Sequence, residues 1–500
     1  MPSSCFSRRS FVKTAGALAG GSLLGHTVSC KQPPTAASKQ VAVDTGRQAD
    51  YTLTIAVTPI ELATNHIIST TTYNGQFPGP LLRLKEGEPI TIDINNQTDT
   101  PEQLHWHGQF VSTDVDGAAE EGTPFIPAHG SRRIKFVPKP SGYRFYHTHV
   151  HAGANLSAGQ YTGLVGPVYI EPKSNPGNYD REIFLTLKEF EPTLSRGGDM
   201  AMDFLSPATT VKQLKDAGES AMKASLVAGA PHGFEVGYGS FTINGRILGN
   251  GEPIRVKQGE RVLFHVLNGS ATEIRSLALP GHTFTVVALD GNPIPKPVTV
   301  PGLWLGTAER VSAIVEMNHP GIWIIGDLAD DDRQHGMGAV VEYAGQKGKP
   351  QWIKPKPLHW DYTQFGNPGA TVSTPDQVIE MTFAKQNAAE GGFNRWTIND
   401  VAFTENRMHP MFRVKQGKRY RLRMRNASDD IHPIHLHRHS FELTCIAGQP
   451  TSGVIKDVVM IGGYQEVEID FVADNPGLTL FHCHQQLHMD FGFMALFEYF

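Results

Sequence analysis

One block of residues occurs three times along this 500-residue chain, and the repetition constrains the fold more than any other feature. Each copy begins with an Asn-Gly or Asn-Asp pair, continues through a Lys-x-Gly element and ends at an asparagine. The copies are Asn74–Asn96, Asn244–Asn268 and Asn399–Asn426. The units also end alike, because a glycine-containing run leads into residues 147–149, 326–328 and 482–484. Units that share opening and closing motifs predict copies of one Greek-key sandwich or barrel.

The unit boundaries follow from the repeat. We predict three all-β units at about residues 45–173, 178–346 and 352–500. Alternating apolar and polar residues, as in Ile90–Ile94, are typical of half-buried strands. The run Thr210–Ala217 has helical spacing instead, so we predict a helical insertion at about residues 206–226 of the second unit.

The N-terminal residues have the pattern of an export signal. A twin-arginine motif, Arg8-Arg9, precedes a short run of small and apolar residues from Thr14 to Ser29. This arrangement predicts a removable signal peptide over residues 1–30 and a flexible linker over residues 31–44. We therefore expect the mature protein in the periplasm or outside the cell, with Cys30 as a candidate lipid anchor.

Charge and cysteine content exclude two classes of protein. A formal net charge of −5 provides no basic surface, so we expect no nucleic-acid partner. Beyond the predicted signal the sequence contains only Cys445 and Cys483, so a disulfide framework does not hold this fold together. We expect the protein to be a monomer.

Four His-x-His pairs stand at matching positions of the first and third units. Alternate residues of a strand share one face, so each pair directs two imidazoles toward one point. The pairs are His105 with His107, His147 with His149, His435 with His437, and His482 with His484.

One cysteine lies among these histidines. A soft thiolate with two imidazoles is the ligand set of a blue copper site. Cys483 offers the thiolate, His488 one imidazole, and His432 the other from a distant strand. The eight paired histidines divide evenly between the first and third units, so a metal cluster between those units would use all of them. Because His482 and His484 flank Cys483, such a cluster would lie next to the thiolate along the chain.

Residues 45–500 resemble a three-domain multicopper oxidase of the laccase type. The resemblance rests on three motifs that are highly specific together: His-Trp-His-Gly at 105–108, His-Pro-Ile-His-Leu-His at 432–437 and His-Cys-His-x3-His at 482–488. It implies three cupredoxin-like Greek-key domains that bind four copper ions, one of type 1, one of type 2 and two of type 3. It also implies dioxygen and a small reducing substrate as partners.

By position, the resemblance implies a role for each ligand. The type 1 ion would be bound by His432, Cys483 and His488, and the type 2 ion by His105 and His435. The type 3 pair would be bound by His107, His147, His149, His437, His482 and His484.

Comparing the units with one another shows which of them lack a blue site. Superposed on the third unit, the first has Thr148 in place of Cys483 and Glu102 in place of His432. The second has Gly326-Asp327-Leu328 where the third has His-Cys-His. We therefore predict that the middle unit is free of metal and serves as a scaffold.

Phe493, ten residues after Cys483, stands where related blue sites often carry a weak axial methionine. Phenylalanine cannot coordinate copper, and loss of a soft donor destabilises the oxidised ion, so the resemblance implies a strong oxidant. The alternative is that Met494 takes the axial place.

Carboxylates are needed because reducing dioxygen consumes protons. Asp116 matches an acidic position of the family. Bacterial relatives often have a glutamate directly after the second type 1 histidine, but here that residue is Met489, and Asp490 is our substitute. Asp457 stands in a stretch that resembles one bordering the blue site, although a solvated charge at a strand edge explains it equally well.

Several further histidines fit none of the ligand spacings. We expect His439 to form structural hydrogen bonds, because His282 is its counterpart in the metal-free unit. The others are His129, His151 and His232.

We therefore expect a laccase-like enzyme that oxidises phenols or aromatic amines in one-electron steps, with electrons entering at His488, and reduces dioxygen to water. One alternative is a metallo-oxidase for cuprous or ferrous ions, as in copper tolerance. Such enzymes often have a methionine-rich insert, whereas this insertion region has only Met200, Met202 and Met222. Another alternative is a copper-free envelope binding protein of the same fold.

Overall fold

The structure, a computed structural model, describes residues 48–173, 178–195, 212–227, 232–356, 360–367, 372–404 and 411–500. The predicted signal peptide and linker, including Cys30, lie outside the described residues, as does the predicted start of the helical insertion. Among the described residues, no helix has both the length and the apolar character that a membrane span requires.

The first unit is built from two four-stranded sheets and a short helix, α1 (Thr113–Asp116). Its strands are β1 (Tyr51–Ala63), β2 (His66–Tyr73), β3 (Leu82–Lys85), β4 (Ile90–Asn96), β5 (His105–His107), β6 (Ser131–Phe136), β7 (Gly142–His147) and β8 (Val165–Glu171). The strand orders are β2-β1-β4-β6 and β3-β8-β7-β5.

The second unit contains the helices α2 (Lys212–Val227), in the insertion, and α3 (Asp330–Gln334). Its strands are β9 (Arg181–Ser195), β10 (Glu235–Ile243), β11 (Ile254–Val256), β12 (Arg261–Asn268), β13 (Arg275–Leu277), β14 (Phe284–Leu289), β15 (Asn292–Val300), β16 (Leu303–Leu305), β17 (Arg310–Glu316), β18 (Ile322–Gly326) and β19 (Gly338–Tyr343). The sheets have the orders β10-β9-β12-β17-β14-β15, β11-β19-β18 and β13-β16.

The third unit ends the chain and contains the short helix α4 (Gln486–Asp490). Its strands are β20 (Gln377–Glu390), β21 (Phe393–Ile398), β22 (Phe412–Val414), β23 (Arg419–Asn426), β24 (His432–Leu436), β25 (Phe441–Ile446), β26 (Gln449–Pro450), β27 (Ile455–Lys456), β28 (Val458–Ile461), β29 (Glu466–Val472), β30 (Thr479–Cys483) and β31 (Met494–Tyr499). One sheet has the order β21-β20-β23-β29-β25-β26, with β27 also paired to β25, and the other has the order β22-β31-β30-β24-β28.

The same strand pairings recur in all three units. The first strand of each pairs in parallel with the strand that ends the repeated block: β1 with β4, β9 with β12 and β20 with β23. The strand inside the block pairs in parallel with the last one: β3 with β8, β11 with β19 and β22 with β31. Parallel pairs require crossover connections, as in a Greek key. The all-β prediction is confirmed.

An asparagine turn explains why the repeated block begins as it does. Asn74, Asn244 and Asn399 have positive φ angles of 54°, 53° and 51°, a conformation that asparagine tolerates better than most residues. Each side-chain Oδ1 accepts a hydrogen bond from a backbone N–H in the first strand of its unit, that of Thr54, Thr186 or Thr382. The turn therefore joins two strands through one side chain in every unit.

Candidate metal centres

Two matching strand pairs carry the histidines. In the first unit β5 pairs with β7, which places His105 opposite His147. In the third unit β24 pairs with β30, which places His435 opposite His482. These four side chains are all fully buried. The repeat thus brings equivalent strands of the first and third units to one location.

The eight paired histidines form one cluster between those units. The rings of His107 and His435 stack with centroids 3.8 Å apart, and those of His105 and His437 with centroids 4.0 Å apart. Within the cluster, three groups have candidate ligand atoms that all lie within 4.8 Å of one another. The groups are His105, His107 and His435; His107, His147 and His484; and His149, His437 and His482.

Hydrogen bonding orients these imidazoles so that one nitrogen remains for a ligand. The Nδ1–H groups of His105, His147 and His435 donate to backbone carbonyl oxygens at 2.9, 2.7 and 2.7 Å. Among the described residues, their Nε2 atoms have no hydrogen-bond partner, although they are buried. Nδ1 of His107 and both ring nitrogens of His149 and His484 also lack one. Buried polar atoms are normally hydrogen-bonded, so this set fits bound metal.

The protonation state of the cluster suits metal binding as well. Burial, reinforced by neighbouring imidazoles, holds the pKa of His107 and His149 well below the usual value for histidine. The same holds for His147, His435, His437 and His484. These imidazoles are neutral near pH 7, which is the form that coordinates metal ions.

Cys483, His432 and His488 form a separate buried group. The Sγ atom of Cys483 lies 3.7 Å from Nδ1 of His432 and 3.4 Å from Nδ1 of His488, and the two Nδ1 atoms are 3.1 Å apart. Burial raises the pKa of the Cys483 thiol well above its usual value, so a bound cation would have to stabilise the thiolate. Three donors at these separations fit one copper ion.

Phe493, rather than Met494, lies beside the group formed by Cys483, His432 and His488. Its ring centroid is 4.7 Å from that of His432, and its carbonyl oxygen accepts the backbone N–H of Cys483 at 3.2 Å. Met494 pairs with His482 across β30 and β31 and packs into a different apolar cluster.

Aromatic and polar groups surround His432 and His488. The indole of Trp396 lies over His488, with ring centroids 4.0 Å apart, and only 2% of His488 is exposed. Nε2 of His432 forms a 3.0 Å hydrogen bond with Oγ of Ser428. Ser428 also lines a cavity of about 400 Å³ between α2 and the third unit.

Asp116 is the acidic residue at the cluster that the sequence predicted. Its Oδ2 accepts a hydrogen bond from Nδ1–H of His437 at 2.8 Å, and its carbonyl oxygen accepts that of His105. Asp116 is fully buried. It therefore orients one histidine from each of the two units that form the cluster.

Asp490 lies farther out. Its carboxylate accepts hydrogen bonds from the backbone N–H groups of Ala152 and Gly153 and from the Gln486 side chain, and it stands 3.7 Å from Nδ1 of His151. Burial raises the pKa of Asp490 to about 6.

Two glutamates that the sequence analysis did not single out also stand at the cluster. Oε1 of Glu120 is 2.8 Å from Nε2 of His151, and its Oε2 is 4.0 Å from Nδ1 of His149. Oε1 of Glu121 is 3.5 Å from Nδ1 of His437. They follow Asp116 on a short 3₁₀ turn, but only the tertiary structure shows that Glu120 meets histidines of its own unit and that Glu121 meets one of the third unit.

The remaining histidines have other partners. His439 bonds to the carbonyl of His437 and to the Tyr499 hydroxyl, and His282 bonds in the same way to Pro280 and Tyr343. The predicted structural role is confirmed by this matching geometry. His129 pairs with Asp99 at 2.8 Å, and His232 is exposed.

Asp457 is not a solvated strand-edge charge. It is completely buried, and its Oδ1 accepts a hydrogen bond from Nε2–H of His107 at 3.1 Å. The interpretation as an exposed charge is therefore wrong, because the first and second units cover this edge of the third.

Comparisons with known proteins identify similar chains. Three family models described as multicopper oxidase match residues 54–175, 209–344 and 373–499. The chain is 30% identical to multicopper oxidase MmcO of Mycobacterium tuberculosis, over 99% of this chain and 97% of that protein. It is 26% identical to laccase-4 of Thanatephorus cucumeris, over 82% of each. The crystal structure of a laccase from Botrytis aclada superposes with a TM-score of 0.71 at 21% identity, over 89% of this chain and 87% of that one.

Proposed function

The chain belongs to the multicopper oxidase family, and on that basis we propose that it is a laccase-like enzyme whose reducing substrates are phenols or aromatic amines. As a member of that family it is a copper-dependent oxidoreductase with dioxygen as electron acceptor. The observation that carries the proposal is the buried group of Cys483, His432 and His488, joined through the chain to the histidine cluster.

The resemblance to the family assigns the ions, and the grouping of donor atoms supports that assignment for the type 1 ion and the type 3 pair. His432, Cys483 and His488 would hold the type 1 ion, and His105 and His435 the type 2 ion. The type 3 pair would be held by His107, His147 and His484, and by His149, His437 and His482. Copper bound there supplies one-electron redox chemistry and a place for dioxygen.

The chain itself provides the electron path. Cys483 is peptide-bonded to His482 and to His484, and these two histidines belong to different groups of the cluster. An electron that reaches the thiolate therefore has a covalent route to both groups. The route is short because the three residues are consecutive: His482 and Cys483 end β30, and His484 follows.

We propose Asp116 and Asp490 as the groups that supply protons. Asp116 is well placed because it contacts His437 and is buried beside the cluster. Asp490 lies farther from the cluster than Asp116 and faces His151, whose side chain is 25% exposed. This pair would connect solvent with the cluster side of the protein. Glu120 lies between His151 and His149 and would complete this route.

Aromatic surroundings support an organic substrate. Trp396 covers His488, and Phe393 and Phe491 stack beside it with ring centroids 4.4 Å apart. The cavity next to Ser428 has a volume of about 400 Å³, which lies within the usual range for small-molecule sites. Ser428 lines this cavity and bonds to His432, so a phenol bound there would pass its electron through Ser428 and His432 rather than through His488.

We also propose that residues 1–30 direct twin-arginine export and are then removed, so that the mature enzyme works in the periplasm or outside the cell. Cys30 remains a candidate lipid anchor, and we propose a monomer. N-terminal sequencing and mass analysis of the mature protein, with gel filtration, would test these points.

Oxygen uptake by the copper-loaded enzyme tests the substrate. Turnover should be seen with a phenol and an aromatic amine, and it should exceed turnover with cuprous or ferrous ions. Cys483→Ser should abolish both turnover and the blue absorption, whereas Cys445→Ser, at the other free cysteine of the described chain, should preserve them. Exclusive oxidation of metal ions would replace the laccase-like proposal with the metallo-oxidase alternative.

A further inference from the structure

Three buried charged residues from three different units meet beside the histidine cluster. Asp457 comes from the third unit, Arg310 from β17 of the second and Arg144 from β7 of the first, and all are fully buried. Arg310 donates from both terminal nitrogens to the two Asp457 oxygens, each at 2.6 Å. Arg144 donates to Oδ2 at 3.1 Å. Two-point pairing of this kind fixes the plane of a carboxylate.

Asp457 also contacts two cluster histidines. Its Oδ1 accepts a hydrogen bond from Nε2–H of His107 at 3.1 Å, and its backbone oxygen accepts one from Nδ1–H of His435 at 2.7 Å. Nδ1 of His107 and Nε2 of His435 are the atoms left over, and neither has a hydrogen-bond partner among the described residues. The same residue thus sets which nitrogen each histidine offers to a ligand.

The arginines determine how Asp457 can act. A carboxylate that pairs with two guanidinium groups is an acceptor only, so His107 must donate from Nε2 and keep the Nδ1 lone pair free. The other charges nearby are Asp290, Lys456 and Glu309, and Lys456 pairs with both acidic residues at 2.9 and 3.0 Å. Arg310 contacts Asp457 from the middle unit and therefore connects these charged residues with the histidine cluster.

Gly108 provides independent support for a close relation between this ion pair and the ligand strand. It directly follows His107 and has a φ of 73°. A Cβ atom at this position would collide with Oδ2 of Asp457 and Nη2 of Arg310. The backbone after His107 therefore packs directly against the pair. Any displacement of Arg310 would affect His107 both through Asp457 and through the backbone at Gly108.

We infer that Arg310, from the middle unit, is a positioning residue for the three-copper cluster, which it serves by holding Asp457 and thereby the orientation of His107. The inference rests on the proposed function, because it assumes that His107 binds copper. It gives the middle unit a part in the metal site beyond that of a scaffold.

The test compares Arg310→Lys with Arg275→Lys. Arg275 is a matched control because it is also a buried arginine of the middle unit, paired with Glu189 and Asp332. Lysine keeps the charge but loses the two-point contact. We expect Arg310→Lys to weaken copper binding by the cluster about 10- to 100-fold in a chelator titration, while the blue absorption of the Cys483 site stays unchanged. Arg275→Lys should leave cluster affinity as it is.

Asp457→Asn is a second variant, chosen in case Arg310→Lys does not fold. Its amide has nearly the same shape but can donate as well as accept, so it should also weaken cluster copper selectively. Equal loss of cluster copper in the Arg275 and Arg310 variants would reduce Arg310 to a structural role and overturn the inference, as would unchanged affinity in both Arg310→Lys and Asp457→Asn. A wild-type enzyme that has blue copper but no cluster copper would contradict the proposed function itself, and the inference with it.

Discussion

The hydroxyl of Thr148 donates a 2.9 Å hydrogen bond to Oε2 of Glu102, and these two residues occupy in the first unit the places of Cys483 and His432 in the third. In the middle unit the cysteine position is occupied by Asp327, which accepts a 2.6 Å hydrogen bond from Ser276. The cysteine position of the repeat thus holds a candidate metal ligand in one unit and a hydrogen-bonded polar residue in each of the other two. The superposition made from sequence alone matches this geometry.

Glu102 should make stability depend on pH. Burial raises its pKa to about 7 in the folded protein, against about 4.5 for an ordinary glutamate. The folded state therefore holds the proton more tightly, and the stabilisation it provides is complete below about pH 4.5 and lost as pH rises through about 7. The full difference is about 3 kcal/mol.

Glu102→Gln should remove that dependence. The difference in free energy of unfolding between variant and wild type should grow in favour of the variant between about pH 4.5 and pH 7, as measured by denaturant unfolding of the copper-loaded protein. Glu88→Gln, at an exposed glutamate of the same unit, is the control. Parallel stability curves for Glu102→Gln and wild type would refute the prediction.

Phe493→Met should lower the reduction potential of the type 1 site. Phe493 lies next to His432, and a methionine there would bring a thioether toward the copper and stabilise its oxidised form. A redox titration of the blue absorption measures the change. Phe493→Leu, which adds no donor, should keep the potential high; an equal fall in both variants would attribute the effect to packing.

Asp116→Asn should slow dioxygen reduction by at least about 100-fold, the usual contribution of a positioned proton donor. The blue site has other neighbours, so its anaerobic reduction by substrate should proceed at the wild-type rate. Stopped-flow measurement of the two half-reactions separates these steps. Asp114→Asn is the control, since Asp114 lies two residues away and pairs with Ser112. Loss of the anaerobic step in Asp116→Asn would argue for a general structural defect.

Trp396→Ala should destabilise the third unit by roughly 3–5 kcal/mol, the usual effect of truncating a buried aromatic residue. The Trp396 side chain is 1% exposed, packs on His488 and donates its indole N–H to Asp430 at 3.1 Å. Denaturant unfolding measures the loss. Trp396→Phe keeps most of the ring contact and should cost less than half as much; equal costs would show that the indole N–H dominates.

The sequence by itself determined the repeat, the all-β fold and the candidate ligand residues. These features are local: a period of two places His105 and His107 on one face, and asparagine turns mark the same position in every unit. The motif around Cys483 is equally local, so its covalent link to the cluster could be derived without a structure.

Only the tertiary structure decided which charged groups meet that cluster. His107 and Asp457 are 350 residues apart, and Arg310 reaches Asp457 from a unit with no metal-site motif. Glu121 of the first unit likewise lies 3.5 Å from Nδ1 of His437 in the third unit. Burial requires each of these charges to have a partner, but which partner it finds depends on how the units pack, and strand periodicity carries no information about that.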